Sequence, residues 1–117
     1  MTARHKYKWR KELGGGIEPV PCGTLPELME EHGFASGANF LSLDVEGAEE
    51  IVLRTAFPAL RFDAVYVEVD GTDPAKDARV GTLLRDAGLQ LMYRFRVAGC
   101  QGGGCNDFYV RRQSNRS

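Results

Sequence analysis

Residues 41–53 read Leu41-Ser-Leu-Asp44-Val-Glu46-Gly47-Ala-Glu49-Glu50-Ile-Val-Leu53. The first part, with Asn39 and Phe40 before it, has the apolar run of a short buried strand. The second part predicts a helix from about Ala48 to Thr55, apolar at Ile51 and Val52, with Phe57 beyond its bend and Pro58 ending it. Strands passing directly into helices build α/β sheets. The apolar run delivers Asp44 to the carboxyl end of its strand. Glu46 follows in the turn, Gly47 allows close approach, and Glu49 opens the helix. In open α/β sheets ligands bind outside the carboxyl ends of the strands. A carboxylate in that position serves as a general base, a metal ligand or a counter-charge for a cation. Acids at a helix start also offset the helix dipole by ~0.3–1 kcal/mol each. Three carboxylates within six residues, Asp44, Glu46 and Glu49, exceed that need. Their mutual repulsion has to be offset by something.

Toward the amino terminus, Leu25 to about His32 predicts a helix, with Leu25, Leu28 and Met29 on one face. Thr24 is its N-cap, Pro26 lies in its first turn, and Glu27 completes a capping box. Gly33 stops it, and His32 in the last turn complements the dipole. Ile17–Cys22 contains Pro19 and Pro21 and is at best an edge strand. Residues 1–16 read as a flexible basic tail closed by Gly14-Gly15-Gly16. Arg4, Lys6, Lys8, Arg10 and Lys11 interleave with Tyr7 and Trp9, which suits either a phosphate-touching arm or a solvated tail; the second reading is adopted. No apolar stretch follows these charges, so they are not a secretory signal.

Toward the carboxyl terminus, Asp63–Asp70 is the strongest strand, β-branched and aromatic. Glu68 lies near its end, where alternation directs it toward packing. Pro74–Gly88 predicts a helix with Val80, Leu83, Leu84 and Ala87 at helical spacing. Leu89–Val97 is a strand, Gly99–Gly104 a turn, Asn106–Arg111 a last strand and 113–117 a polar tail. The expected fold is therefore α/β, with parallel strands covered by helices and a terminal antiparallel hairpin.

The 117 residues suffice for one domain, and 43% hydrophobic with 26% charged residues is an ordinary globular composition. Lys plus Arg is 15 and Asp plus Glu is 16, a formal net charge of -1 that gives no global attraction to nucleic acid or anionic membrane. No apolar run approaches the ~20 residues of a membrane-spanning helix. Three cysteines exclude a disulfide-built miniprotein.

The run Leu43-Asp44-Val45-Glu46-Gly47-Ala48-Glu49 resembles the signature of FkbM-type methyltransferases. Gly23-Thr24-Leu25-Pro26-Glu27-Leu28, Val65-Tyr-Val-Glu68-Val69, the helix from Val80 to Gly88 and Asn106-Asp107-Phe-Tyr109 follow in the family's order. The resemblance spans roughly residues 17–112. It implies a partial class I methyltransferase (Rossmann-like) fold, S-adenosylmethionine as cofactor, and O-methylation of a small-molecule or glycan hydroxyl. It further implies Asp44 and Glu46 beside the methyl donor with Gly47 in the same cofactor-binding turn. Glu49 then supports them or holds a substrate hydroxyl. Asp44, Glu46 and Glu49 are the catalytic candidates. Members of this class begin with a strand entering a glycine-rich turn, then a second strand ending in a ribose-binding acid. Here Gly14-Gly15-Gly16 follows a basic tail instead. The chain thus reads as the carboxyl-terminal half of the family domain, a fragment with little activity alone. Its strand ending at Asp44 has an edge open to self-association, and the strand near Val20 has nothing to pair with.

Rival readings use the same residues differently. A non-catalytic α/β interaction module would keep the scaffold alone. Asp44 and Glu46 with Mg²⁺ would support phosphoryl transfer, which calls for a further acid on an adjacent strand and a phosphate cradle, and the sequence holds no P-loop. Cys22, Cys100 and Cys105 with a histidine form a weak zinc pattern, and Cys100–Cys105 a disulfide in an oxidising compartment. No Gly-x-Ser-x-Gly elbow is present, and His5 and His32 suggest no hydrolase triad.

Overall fold

A computed structural model describes residues 5–10, 17–69, 71, 73–96 and 105–113. In chain order its elements are β1 (His5–Arg10), β2 (Ile17–Cys22), α1 (Leu25–Glu31), β3 (Gly37–Leu43), α2 (Glu49–Ala56), β4 (Arg61–Val69), α3 (Pro74–Asp86), β5 (Leu89–Phe95) and β6 (Cys105–Arg111). The main sheet has the order β3-β4-β6-β5. β3 runs parallel to β4, with Leu43 opposite Val67, while β6 is antiparallel to both β4 and β5. The expected terminal hairpin is present, but its second strand inserts beside β4 and leaves β5 at the edge. Pairing with β4 buries β6 more deeply, and its burial alternates at Cys105, Asp107 and Tyr109.

The helices form for the reasons legible in the sequence. Thr24 and Glu27 make the reciprocal capping box of α1, and Asp73 caps α3 through the Lys76 amide. Gly37 starts β3 with φ +132, where a Cβ would lie 1.8 Å from the Arg61 carbonyl oxygen, so only glycine lets β3 and β4 come this close. Leu53 and Ala56 of α2, with Val80 and Leu84 of α3, pack on Leu43, Val65, Val67 and Tyr109. These side chains share one face of the sheet. The opposite face carries Phe40, Tyr93 and Phe95, each exposed by more than 40%, and half-buried Tyr66 and Phe108. Tyr66 meets Phe95 edge-on and Tyr93 meets it at a tilt.

Two expectations about the amino-terminal segment need correction. Within the tail, His5–Arg10 is a strand, and it pairs antiparallel with β2 from His5 opposite Cys22 to Arg10 opposite Ile17. β2 therefore has a partner. The stretch His5-Lys6-Tyr7-Lys8-Trp9-Arg10 alternates basic and ring-bearing residues, a strand period that its charge obscured. In a two-stranded ribbon both strands are edges, which accommodates Pro19 and Pro21. The Gly99–Gly104 turn and all of the polar tail after Gln113 lie outside the described residues.

Candidate acidic site at the carboxyl end of the sheet

Asp44 directly follows β3, and the parallel register sets Leu43 beside Val67, so Asp44 stands next to Glu68 of β4. The acids are therefore at the carboxyl end of the strands, where α/β sheets hold ligands. Asp44 and Glu46 are exposed and Glu68 is half-buried; one carboxylate oxygen from each lies within 4.8 Å of the others. The turn between them is unusual. Glu46 has φ 50 and Gly47 φ 96, two successive left-handed residues. For Glu46 that conformation costs ~1–2 kcal/mol, whereas Gly47 adopts it freely.

Glu49 offsets that cost. It is only 3% exposed, and its carboxylate accepts from the Val45 amide at 2.9 Å and the Gly47 amide at 3.4 Å. Lys76, from the first turns of α3, donates to the same carboxylate at 3.4 Å and to the Gly47 carbonyl at 3.2 Å. Glu49 thus fastens the turn that aims Asp44 and Glu46, and its oxygens are occupied by backbone and Lys76. Sequence reading missed Lys76. Its only local signal is a position early in α3, and a sequence separation of 27 from Glu49 conceals the contact.

Glu68 is the other residue the sequence undervalued. Alternation does bury Val67 and Val69, but it places Glu68 on the opposite, uncovered face. Its carboxyl pKa is pushed up from an ordinary 4.5 to about 7. The main cause is a side-chain hydrogen bond with Asp44, followed by burial and the charges of Asp44, Glu46 and Glu49. A hydrogen bond raises an acid's pKa when the protonated form makes it, so the Glu68 carboxyl donates to the Asp44 carboxylate. The repulsion anticipated from the sequence is met in two ways: Glu49 is neutralised by Lys76, and Glu68 holds a proton near neutrality. Such a cluster can accept or release a proton around pH 7 and presents negative charge to a cation.

Among the described residues only Asp44, Glu46 and Glu68 group as metal-ligating side chains. The suggested cysteine site does not assemble there: Cys22 is free, Cys105 is fully buried and disulfide-bonded, and Cys100 lies outside the described residues. Compared with known proteins, residues 2–94 match the family model for the methyltransferase FkbM domain. The match begins nearer the amino terminus than the span read from the motifs, and includes β1 and β2. No curated protein and no solved structure matches the chain significantly.

Proposed function

We propose, for a chain that belongs to the FkbM methyltransferase family, that the acidic cluster at the end of β3 and β4 borders a site of methyl transfer to a hydroxyl group. The observation that carries this reading is the convergence of the Asp44, Glu46 and Glu68 carboxylates, one oxygen of each within 4.8 Å of the others, at the carboxyl end of β3 and β4. The family implies a methyl donor such as S-adenosylmethionine, and the chemistry of these carboxylates fits its positive charge. When bound, that donor supplies an electrophilic methyl group on a sulfonium. Asp44 and Glu46 would lie against the cationic centre, with Gly47 letting the backbone approach. A carboxyl near pKa 7 is matched to general-base work at neutral pH, worth typically ~10²–10⁴-fold in rate. Glu68 and Asp44 as a pair would take up the acceptor's hydroxyl proton. Glu49 and Lys76 keep the turn in place and do not touch the reactants.

The 117 residues by themselves are expected to turn over poorly. Among the described residues ahead of β3, the two strands are the basic β1 and the proline-containing β2, and neither is the apolar strand that leads into a glycine-rich cofactor turn. A missing ribose-binding acid, at ~1.5–3 kcal/mol for each of two hydrogen bonds, weakens cofactor binding ~10²–10⁴-fold. The chain's open β3 edge is proposed as a route to self-association.

A magnesium site is the second reading, favoured by one observation: Glu68 supplies the further acid on an adjacent strand that such a site calls for. One NMR titration separates the two. S-adenosylmethionine should shift the amides of Val45–Glu50 and Tyr66–Val69, weakly, with the shifts lost in Asp44→Asn and no micromolar affinity. Shifts confined to other residues would remove the cluster from the donor site. Saturable shifts of the same amides by magnesium alone would move it to the second reading.

A further inference from the structure

On the helix-covered face, a cleft of about 360 Å³ opens between α3 and the β5–β6 pair, starting at Val69, the residue after Glu68. Its charged lining is Arg85, Arg94 and Arg96 against Asp77 and Asp107, an excess of one positive charge. Three features show how it is made. A β-bulge between Leu91 and Tyr93 shifts the register of β5. Before it, Leu91 pairs with Tyr109 on the covered face; after it, Tyr93 pairs with Phe108 on the open face and Arg94 with Asp107 on the covered one. Unbroken alternation would have covered Tyr93 and Phe95 and turned Arg94 and Arg96 outward. The bulge exchanges two coverable rings for two arginines, and bulges commonly re-aim side chains beside functional sites.

Second, Asp107 is 5% exposed and a single oxygen, Oδ1, faces both guanidinium groups, Arg94 Nε at 3.6 Å and Arg96 Nη1 at 3.1 Å. That oxygen is buried and makes no hydrogen bond. One carboxylate between two guanidinium groups fixes their direction and leaves one positive charge uncompensated. Both arginines stay partly exposed, 56% and 39%, Arg96 Nη1 also donates to the Phe95 carbonyl at 3.4 Å, and each guanidinium carries five N–H donors, more than these contacts use. Third, buried Gly81 sits inside α3, where glycine is disfavoured relative to alanine. A Cβ there would stand 3.0 Å from Arg85 Nη1 and 3.1 Å from the Tyr109 hydroxyl. The glycine leaves open the point of the cleft floor that both the Arg85 guanidinium and the Tyr109 hydroxyl border.

We infer that this cleft binds a small oxyanion, the phosphate or carboxylate group of a small molecule, through Arg85, Arg94 and Arg96. Planar guanidinium forks match both anions in paired hydrogen bonds. The site goes beyond the proposed methyl transfer and needs no methyl donor to be tested.

The test is an NMR titration of the full chain with sodium phosphate and, separately, sodium acetate, each against sodium chloride at matched ionic strength. Saturable shifts of the Gly81, Arg85 and Arg94–Arg96 amides are expected, and whichever anion binds more tightly identifies the group. Arg94→Gln with Arg96→Gln should weaken that binding at least ~10-fold. Because that pair leaves Asp107 buried without a cation, Arg85→Gln on the exposed helix surface is the second variant; it should weaken binding several-fold without changing the melting temperature. No saturable shift with either anion, or unchanged affinity in Arg85→Gln, overturns the inference. Neither result depends on whether S-adenosylmethionine binds at Asp44.

Discussion

Glu68 shows how a single side chain changes its chemistry by its neighbours. Its folded pKa of about 7 exceeds the ordinary 4.5, so the native state holds a proton that the unfolded chain releases. The associated stability is complete below about 4.5 and is lost as pH rises through about 7, because the deprotonated carboxylate repels Asp44 and Glu46. Glu68→Gln keeps a donor for Asp44 and cannot ionise. In urea unfolding at stepped pH, the wild-type chain should therefore lose stability relative to Glu68→Gln across that interval, and the gap should level off above it. Parallel profiles would show that Glu68 carries no shared proton. At the same scale, Glu49 shows a motif carboxylate engaged by the turn it follows. A carboxylate 3% exposed, filled by two amides and Lys76, is a fastener for its turn.

At the scale of elements, the site depends on the close approach of β3 and β4, since their register is what seats Asp44 beside Glu68. That approach begins at Gly37. Gly37→Ala would drive a Cβ into the Arg61 backbone, and neither strand can yield without losing ladder hydrogen bonds. The substitution should destabilise the chain by more than ~1 kcal/mol in urea unfolding. It should also bring the Glu68 titration back toward an ordinary carboxylate, as a pH-dependent carbon-13 shift. A Gly37→Ala chain that is destabilised yet keeps the shifted Glu68 would show that the pair forms independently of the register. The helices are held on the other side by local devices: the α1 capping box, Asp73 at α3, and Arg111, which donates to Phe62 and Ala87 carbonyls at 2.8 and 3.0 Å and so ties β6 to the end of α3.

For the whole molecule, the helices cover one face of the four-stranded sheet, and among the described residues β3 pairs only with β4. The uncovered face exposes Phe40 on that open edge, and Tyr93 and Phe95 on β5 at the opposite edge of the sheet. Unpaired edge groups and contiguous apolar surface both favour association. Sedimentation velocity is expected to show a weight-average mass that climbs with protein concentration. A lysine at Phe40, exposed and on the edge strand, should suppress the climb while leaving the melting temperature close to wild type. A mass that stays monomeric at all concentrations would show that the edge is protected.

The sequence by itself determined the order and type of the elements from Leu25 onward, with bounds off by one or two residues, because capping residues, glycine stops and apolar periodicity act over a few residues and are present where each element forms. It also determined that Asp44, Glu46 and Glu49 fall at a strand end, and their spacing carries the family. The register of β3 on β4, which pairs Asp44 with Glu68, was decided only by tertiary structure. So were Lys76 reaching back to Glu49, the insertion of β6 beside β4, and the bulge that turns Arg94 and Arg96 to Asp107. Each joins residues distant in sequence or shifts a strand's phase by one residue. Local composition barely registers such choices; they are fixed by which side chains can be buried together.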